Sequence, residues 1–216
     1  MIKKNLKERI YTSLLLFLIL FMIAGSNFFL VFSLLIFFVL SIIEFLNLTI
    51  RIILNKFALI ISNFFFIIYI LFFCLLFFYF SNFIQSKIII FSLLLACIAS
   101  DIGGYVFGKY FKGPKLIKIS PNKTYSGAFG SLIFSSVIFS SSIYLFTNNF
   151  NLVILLIGLV TSVSCQIGDL FFSYLKRKAK IKDTGNFLPG HGGVLDRLDG
   201  ILFGVPLGFF SLTILY

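Results

Sequence analysis

The feature that most constrains the fold of this chain is a series of long apolar runs. The run from Ala58 to Phe80 contains no charged residue, and the run from Phe28 to Leu46 contains only Glu44. Each run approaches the roughly 20 apolar residues that an α-helix needs to cross a bilayer. Soluble domains have about 25% charged residues, whereas this chain has 12% and is 60% hydrophobic. The sequence therefore predicts an all-α, polytopic membrane protein.

Turn-forming residues divide the apolar sequence into about seven candidate spans. We expect residues 1–216 to form a single integral membrane domain, with N-terminal helices in 1–56 and middle helices in 57–100. The three cysteines lie far apart inside apolar segments, without the spacing of a metal site, and are interpreted as small buried hydrophobes. The predicted spans are residues 10–24, 28–46, 58–80, 87–107, 128–146, 152–172 and 200–216.

The basic residues predict the orientation of these spans. If the N-terminus is cytoplasmic, all of the 18 Lys and Arg residues except Lys87 fall in cytoplasmic segments or at their borders. The seven acidic residues fall in the same segments or near the inner ends of spans. The net charge of +11 then reflects basic residues at the membrane face that carries anionic lipid heads. It does not indicate an affinity for nucleic acid. We expect an inner-membrane protein whose functional groups face the cytoplasm.

The end of the sixth predicted span carries a polar stripe. Asp169, Ser173 and Lys176 stand at i, i+4 and i+7, so a helix would place them on one face. That face would present a carboxylate, a hydroxyl and an ammonium at the inner interface. The alternative is a polar seam that joins helices, with Lys176 and Arg177 as snorkelling anchors. The stripe alone leaves both interpretations open.

A glycine-rich segment follows this stripe. Pro189, Gly190, Gly192 and Gly193 are incompatible with a regular helix and let backbone amides approach a ligand closely. The only histidine, His191, lies between these glycines rather than on an apolar face. A functional role for this histidine is therefore favoured over a structural one.

Two aspartates three residues apart open the last predicted span. Asp196 and Asp199 could simply interact favourably with the dipole at a helix N-terminus. Beside Arg197 and a glycine loop, they also suit a divalent cation that holds phosphates. Mg²⁺ takes one or two carboxylates and fills its remaining positions with water and phosphate oxygens.

A third polar stretch begins at the end of the fourth predicted span. Asp101, Tyr105 and Gly108 repeat at i, i+4 and i+7, although Gly103 and Gly104 weaken the prediction of a helix there. The following loop carries several lysines and no acid, as a plain positive-inside loop also would. Ser120, Lys123 and Thr124 lie within five residues of one another in this loop. Their hydroxyls, backbone amides and ammonium would suit a polyphosphate.

Together these stretches supply carboxylates, cations and glycine loops at a lipid–water boundary. The sequence shows no Ser-His-Asp set and no cysteine nucleophile, so it favours phosphate chemistry on a lipid. Transfer at phosphorus needs positioning and charge neutralisation more than covalent catalysis. An attacking phosphate is already ionised at neutral pH and needs no strong base.

The stretch SYLKRKAKIKDTGNFLPGHGGVLDRLD, Ser173 to Asp199, resembles the signature of the phosphatidate cytidylyltransferases. The GDL at Gly168–Leu170 and the SPNKT at Ser120–Thr124 also resemble motifs of that family. Ser126 departs from the pattern, because the family has a glutamate there. The resemblance implies a helix bundle with a cytoplasm-facing catalytic cleft, its catalytic half in 101–216 and its signature in 173–199.

The family joins CTP and phosphatidate to give CDP-diacylglycerol and pyrophosphate in phospholipid biosynthesis. The resemblance therefore implies an Mg²⁺-dependent nucleotidyltransferase that also uses a monovalent cation such as K⁺, and a homodimer embedded in membrane lipid.

The resemblance also implies roles for individual residues. The metal ligands would be Asp169, Asp196 and Asp199. The other catalytic residues would be Lys176, Arg177, Lys182, Asp183, His191 and Arg197. The substrate-binding residues would be Asp101, Tyr105, Ser120, Lys123, Thr124, Ser173, Gly192 and Gly193.

Two other functions use similar residues. A CTP-dependent lipid kinase would release CDP instead of pyrophosphate and would need a base for an alcohol, for which His191 is the obvious candidate. A transporter of anions would place charged groups throughout the membrane's depth. The charged residues here gather at one face, which argues against transport.

Overall fold

Six long helices dominate the computed structural model, which describes residues 12, 14–15, 18–117, 120–148, 150–188 and 192–215. Each of the six is long and apolar enough to cross a membrane, which confirms an all-α, polytopic integral membrane protein. The first predicted span lies partly outside the described residues, and residues 18–25 are helical. The six helices are α1 (Asn27–Ile50), α2 (Lys56–Ser81), α3 (Ile84–Phe111), α4 (Tyr125–Thr147), α5 (Leu152–Lys178) and α6 (Leu195–Leu215).

The chain divides into two compact units, each formed from two separate stretches of sequence. The first comprises the described residues of Met1–Asn82 together with Leu175–Leu198. The second comprises the described residues of Phe83–Tyr174 together with Asp199–Tyr216. The first unit therefore contains α1, α2 and the glycine-rich segment, and the second contains α3, α4 and most of α5 and α6.

In the first unit, α1 packs against α2 through aromatic and polar contacts. The rings of Phe45 and Phe66 stack with their centroids 3.7 Å apart. One turn further along α1, buried Thr49 accepts a hydrogen bond from Asn63 Nδ2 of α2 at 3.1 Å. The opposite faces expose large side chains such as Phe57 and Phe64, as expected where lipid rather than water surrounds the helices.

In the second unit, glycines let α3 and α4 approach closely. A Cβ atom on Gly103 would lie 2.6 Å from the carbonyl oxygen of Gly130, and one on Gly127 would lie 2.8 Å from that of Gly104. Small residues at such crossings allow backbones of membrane helices to pack together. Gly103 and Gly104 weaken the prediction of a helix from sequence, but α3 continues through both to Phe111 and confirms the predicted span. Tertiary packing outweighs their low helix propensity.

A short hairpin follows α3, where the sequence suggested only a lysine-rich loop. Strands β1 (Lys115–Ile117) and β2 (Ser120–Thr124) pair antiparallel, with Lys115 opposite Thr124 and Ile117 opposite Ser120. Thr124 then begins α4 as its N-cap, accepting a hydrogen bond from Gly127 N at 3.1 Å. Lys118, one of the lysines in this loop, lies outside the described residues.

Two of the three cysteines pack against the glycines of α6. A Cβ on Gly204 would lie 2.6 Å from Cys97 Sγ, and one on Gly200 would lie 2.8 Å from Cys165 Sγ. Both thiols are buried and unpaired by disulfides, which confirms their interpretation as small buried hydrophobes, while Cys74 is half-buried.

Candidate active site

A cavity of about 160 Å³ in the second unit is lined by residues from α3, the hairpin, α4 and α5. It brings together five residues that were predicted from two of the three polar stretches of sequence. These are Asp101, Tyr105, Lys123, Thr124 and Asp169. The hairpin, which the sequence did not predict, is what places two of them beside α5.

An ion pair joins the hairpin to α5 within this cavity. Lys123 Nζ lies 2.9 Å from Asp169 Oδ2, and the two side chains are 31% and 20% exposed. This partial exposure screens the pair, so its contribution to stability is modest. Its position favours a role in ligand binding for Lys123 over that of a plain positive-inside lysine.

Asp101 and Tyr105 lie one turn apart near the C-terminal end of α3, as the spacing predicted. Both are exposed, and Tyr105 lies beneath the ammonium of Lys109, whose Nζ is 5.6 Å from the ring centroid. The tyrosine therefore presents an amphipathic wall to the cavity, with a cation over its ring.

Gln166 and Ser131 also line the cavity, and the sequence analysis missed both. Gln166 Nε2 donates to Ala128 O at 3.3 Å, and Ser131 Oγ donates to Ser100 O at 2.7 Å. The signal for Gln166 was available, because a carboxamide in an apolar span lies one turn before Asp169 on the same helix. Ser131 belongs to a serine-rich helix that gave no such signal.

The start of α6 packs against α5 next to the Asp169 carboxylate. A Cβ on Gly200 would lie 2.8 Å from Asp169 Oδ1, and one on Gly168 would contact the carbonyl oxygen of Asp199. The carboxylate of Asp199 accepts a hydrogen bond from Gly200 N at 3.0 Å. The glycines thus bring two of the three predicted metal ligands close together within the second unit.

The third predicted ligand, Asp196, lies in the first unit and is surrounded by donors. Lys176 Nζ lies 2.7 Å from Oδ1, and these side chains are only 12% and 7% exposed. Oδ2 accepts from Thr184 N at 2.8 Å, Thr184 Oγ1 at 3.1 Å and Gly193 N at 3.0 Å. Asp196 therefore ties the end of α5 and both ends of the glycine-rich segment to α6.

The backbone of this segment requires glycine at two predicted positions. Gly192 has φ +84°, and a Cβ there would lie 3.0 Å from Asp196 Oδ2 and 3.3 Å from Asp183 Cβ. A Cβ on Gly193 would collide with the Glu44 carboxylate and the Thr184 hydroxyl. The predicted residue His191 lies outside the described residues.

Glu44 of α1 is a third functional candidate to which the sequence analysis assigned no role. It is buried and accepts hydrogen bonds from Thr184 Oγ1, Val194 N and Leu195 N. The signal was a single acid in an otherwise uncharged apolar helix, which needs a partner at membrane depth.

The remaining predicted residues present charge and hydroxyl groups in their own units. Ser173 is half-buried on α5 and Ser120 is half-buried in β2. Those predicted residues of the first unit that expose charged side chains are Arg177, Lys182, Asp183 and Arg197.

The residues of the second-unit cavity fit an Mg²⁺ ion that keeps water ligands better than an ion coordinated by protein groups alone. Within the described ranges, no group of three or more His, Cys, Asp or Glu side chains is placed to hold a metal ion. The cavity does have the carboxylates of Asp101 and Asp169 in its lining. Mg²⁺ usually combines one or two carboxylates with water and substrate phosphates.

Six apolar helices, with a cavity in the second unit lined by Lys123, Asp101 and Asp169, define a class of integral membrane protein with a charged candidate site. Residues 1–215 match the model of the cytidylyltransferase family, and the chain belongs to that family.

Several curated relatives are named phosphatidate cytidylyltransferase. The Mycobacterium leprae protein is 40% identical over 127 residues, which cover 58% of this chain and 41% of the relative. The Helicobacter pylori protein is 43% identical over 112 residues, covering 52% and 42%. The Rickettsia felis protein is 41% identical over 130 residues, covering 55% and 56%. The chain thus spans about half the length of the curated relatives it matches.

Proposed function

We propose that this chain transfers the cytidylyl group of CTP to phosphatidate, giving CDP-diacylglycerol and pyrophosphate in phospholipid biosynthesis. The observation that carries this proposal is the match of residues 1–215 to the cytidylyltransferase family, whose similar members bear the name of that activity. The charged cavity at Lys123 and Asp169 supports it independently, because its residues suit phosphate groups.

The proposed reaction is a displacement at the α-phosphorus of CTP. A phosphate oxygen of phosphatidate forms a bond to that phosphorus, and the bond to the bridging oxygen of the β-phosphate breaks. Pyrophosphate leaves with that electron pair, and no proton has to be removed from the nucleophile. The residues therefore need to position and neutralise anions rather than supply a strong base.

Each unit contributes to this task in a different way. The second-unit cavity of about 160 Å³ is smaller than a pocket for a whole drug-sized ligand, so it suits phosphate groups near Lys123. In the first unit, residues 175–198 carry six Lys and Arg residues and two acids. The exposed cations among them attract and orient the anionic substrates.

The proposal includes Mg²⁺, held by Asp169, which lines the cavity, and by Asp199, which the glycines of α5 and α6 bring close to it. When bound, the ion would neutralise charge on the transferred phosphates. The same proposal includes a monovalent cation such as K⁺. The carboxylate of Asp196 accepts four hydrogen bonds in this structure. A direct metal role for it would require some of these donors to be exchanged for the ion.

The proposal also includes a homodimer in the inner membrane with its functional groups on the cytoplasmic face. The distribution of basic residues supports this orientation, because Lys87 is the one basic residue assigned to the outer side.

The test uses the purified chain in detergent with phosphatidate, Mg²⁺ and CTP labelled at either the α- or the γ-phosphate. We expect the α-label to enter the lipid while pyrophosphate appears in equal amount. Diacylglycerol replaces phosphatidate as the control and should accept no label. Entry of the γ-label into lipid with release of CDP would instead identify a lipid kinase and refute the proposal.

A further inference from the structure

Glu44 is the single charged residue of α1. Its side chain is only 2% exposed, in a helix otherwise built from apolar and small polar residues. A carboxylate at such a position is costly unless donors compensate for its lost hydration. Its presence therefore has to be explained by what it binds.

Both oxygens of Glu44 bind residues far along the chain. Oε1 accepts from Val194 N at 2.9 Å, while Oε2 accepts from Leu195 N at 2.8 Å and from Thr184 Oγ1 at 2.8 Å. Val194 and Leu195 form the N-terminus of α6, where backbone N–H groups lack partners within the helix. Glu44 therefore acts as a cap supplied by another helix.

The glycine-rich segment is shaped around this carboxylate. A Cβ on Gly185 would lie 2.6 Å from Glu44 Oε1, and one on Gly193 would collide with Oε2. Larger residues at either position would push the segment away from α1. The segment thus folds tightly over Glu44 at two places.

Thr184 connects Glu44 to Asp196. Its hydroxyl lies 2.8 Å from Glu44 Oε2 and 3.1 Å from Asp196 Oδ2, and its backbone N–H donates to Asp196. Asp196 in turn pairs with Lys176 at 2.7 Å. A continuous set of hydrogen bonds therefore runs from Glu44 on α1 to the charged residues Asp196 and Lys176.

We propose that Glu44 is a positioning residue that fixes both ends of segment 184–195 and thereby the arrangement of Lys176, Asp196 and the neighbouring cations. This inference rests on the proposed function in that those cations bind substrate phosphates. Glu44 itself touches no reacting atom. It acts through Thr184 and the N-terminus of α6.

The variants weaken the hydrogen bonds of Glu44 and Thr184 with little change in side-chain shape. Glu44→Gln places an amide nitrogen against a backbone N–H whichever way the carboxamide turns. Thr184→Val removes the hydroxyl at nearly constant shape, and Thr184→Ser retains it. The matched control is Thr49→Val, on the same helix as Glu44. It breaks a buried hydrogen bond to Asn63 of α2 without touching the segment.

We expect Glu44→Gln and Thr184→Val to lower kcat/KM per folded molecule, by on the order of 10²-fold for a misplacement of about 1 Å. Thr184→Ser should retain wild-type kcat/KM. Thr49→Val should lower thermal stability while its kcat/KM is unchanged. If Glu44→Gln also lowers only stability, with kcat and KM unchanged, the positioning role is refuted.

Hydrogen–deuterium exchange separates this inference from the proposed reaction. Backbone amides of 179–188 and 192–195 should exchange faster in Glu44→Gln and Thr184→Val than in the wild type or Thr49→Val. This outcome would support the positioning role even if the wild type proved inactive with CTP and phosphatidate. Unchanged exchange in these amides would overturn it whatever the activity.

Discussion

At the scale of single residues, the acidic side chains differ in what surrounds them. Asp169 makes a partly exposed ion pair with Lys123, whereas Asp196 is held by a buried lysine and three further hydrogen bonds. Removing a partner from a buried pair leaves an uncompensated charge, but water can compensate for the loss of an exposed one. The same substitution should therefore have different effects at the two positions.

For Asp169→Asn, we expect turnover to be abolished while membrane insertion and thermal stability stay close to wild type. The ammonium of Lys123 would lose its partner but remain 31% exposed to solvent, so the loss in stability should be below about 1 kcal/mol. Activity and thermal unfolding in detergent measure the two effects. Wild-type turnover in this variant would remove Asp169 from the proposed metal site.

For Asp196→Asn, we expect loss of turnover together with a marked loss of stability, although the chain should still insert. The amide cannot balance the charge of Lys176, whose side chain is 12% exposed, and breaking a buried pair costs about 3–5 kcal/mol. The companion variant Lys176→Met removes the ammonium, so the double variant should recover part of the stability. Equal melting temperatures for Asp196→Asn and the wild type would contradict this prediction.

At the scale of elements, the second-unit cavity depends on how closely α3 approaches α4. The contact is made where glycines on one helix face backbone atoms of the other. Asp101 and Tyr105 project from the same end of α3, and Thr124 caps α4 just before the contact. The glycines therefore set the width of the cavity.

For Gly103→Ala, we expect a loss of stability of about 1–3 kcal/mol and a lower turnover, because the new methyl group would lie 2.6 Å from a backbone oxygen that cannot rotate away. Thermal unfolding and the labelled-CTP assay measure both effects. The matched control is Gly25→Ala, since a Cβ at Gly25 meets nothing within 4 Å. If both alanine variants unfold at the same temperature, the close packing of α3 and α4 is not limiting.

At the scale of the whole molecule, charge distribution and hydrophobic length determine how the chain lies in a membrane. Six helices are long and apolar enough to span, and the basic residues cluster in alternate connections. Because positive charges are retained on the cytoplasmic side, this pattern predicts one orientation for every span.

The orientation prediction is tested with single cysteines at exposed positions. Gln85→Cys should react with a membrane-impermeant maleimide in intact cells, and Lys115→Cys should react only after permeabilisation. The wild type is the control, because Cys97 and Cys165 are buried and Cys74 is half-buried. The opposite pattern of labelling would invert the proposed orientation.

Sequence alone was sufficient for six of the seven predicted spans, for the class of fold and for the polar stretches that carry charge. These depend on local composition and on the requirement that lipid-embedded backbone be helical. It also predicted that Asp101 and Tyr105 share a face, since helical spacing places them one turn apart. The predicted role of His191 stays a prediction, because this residue lies outside the described residues.

Only the tertiary structure decided which charged groups become partners. Lys123 pairs with Asp169, Lys176 pairs with Asp196, and Glu44 binds a segment 140–151 residues further along the chain. Composition predicts that a buried carboxylate needs donors, but several donors in this chain could have satisfied it. The partner is selected by helix packing, which depends on side-chain shapes at many distant contacts at once. The close contacts of the glycines were likewise decided by the tertiary structure, because they depend on the neighbouring helix rather than on the helix propensity of glycine.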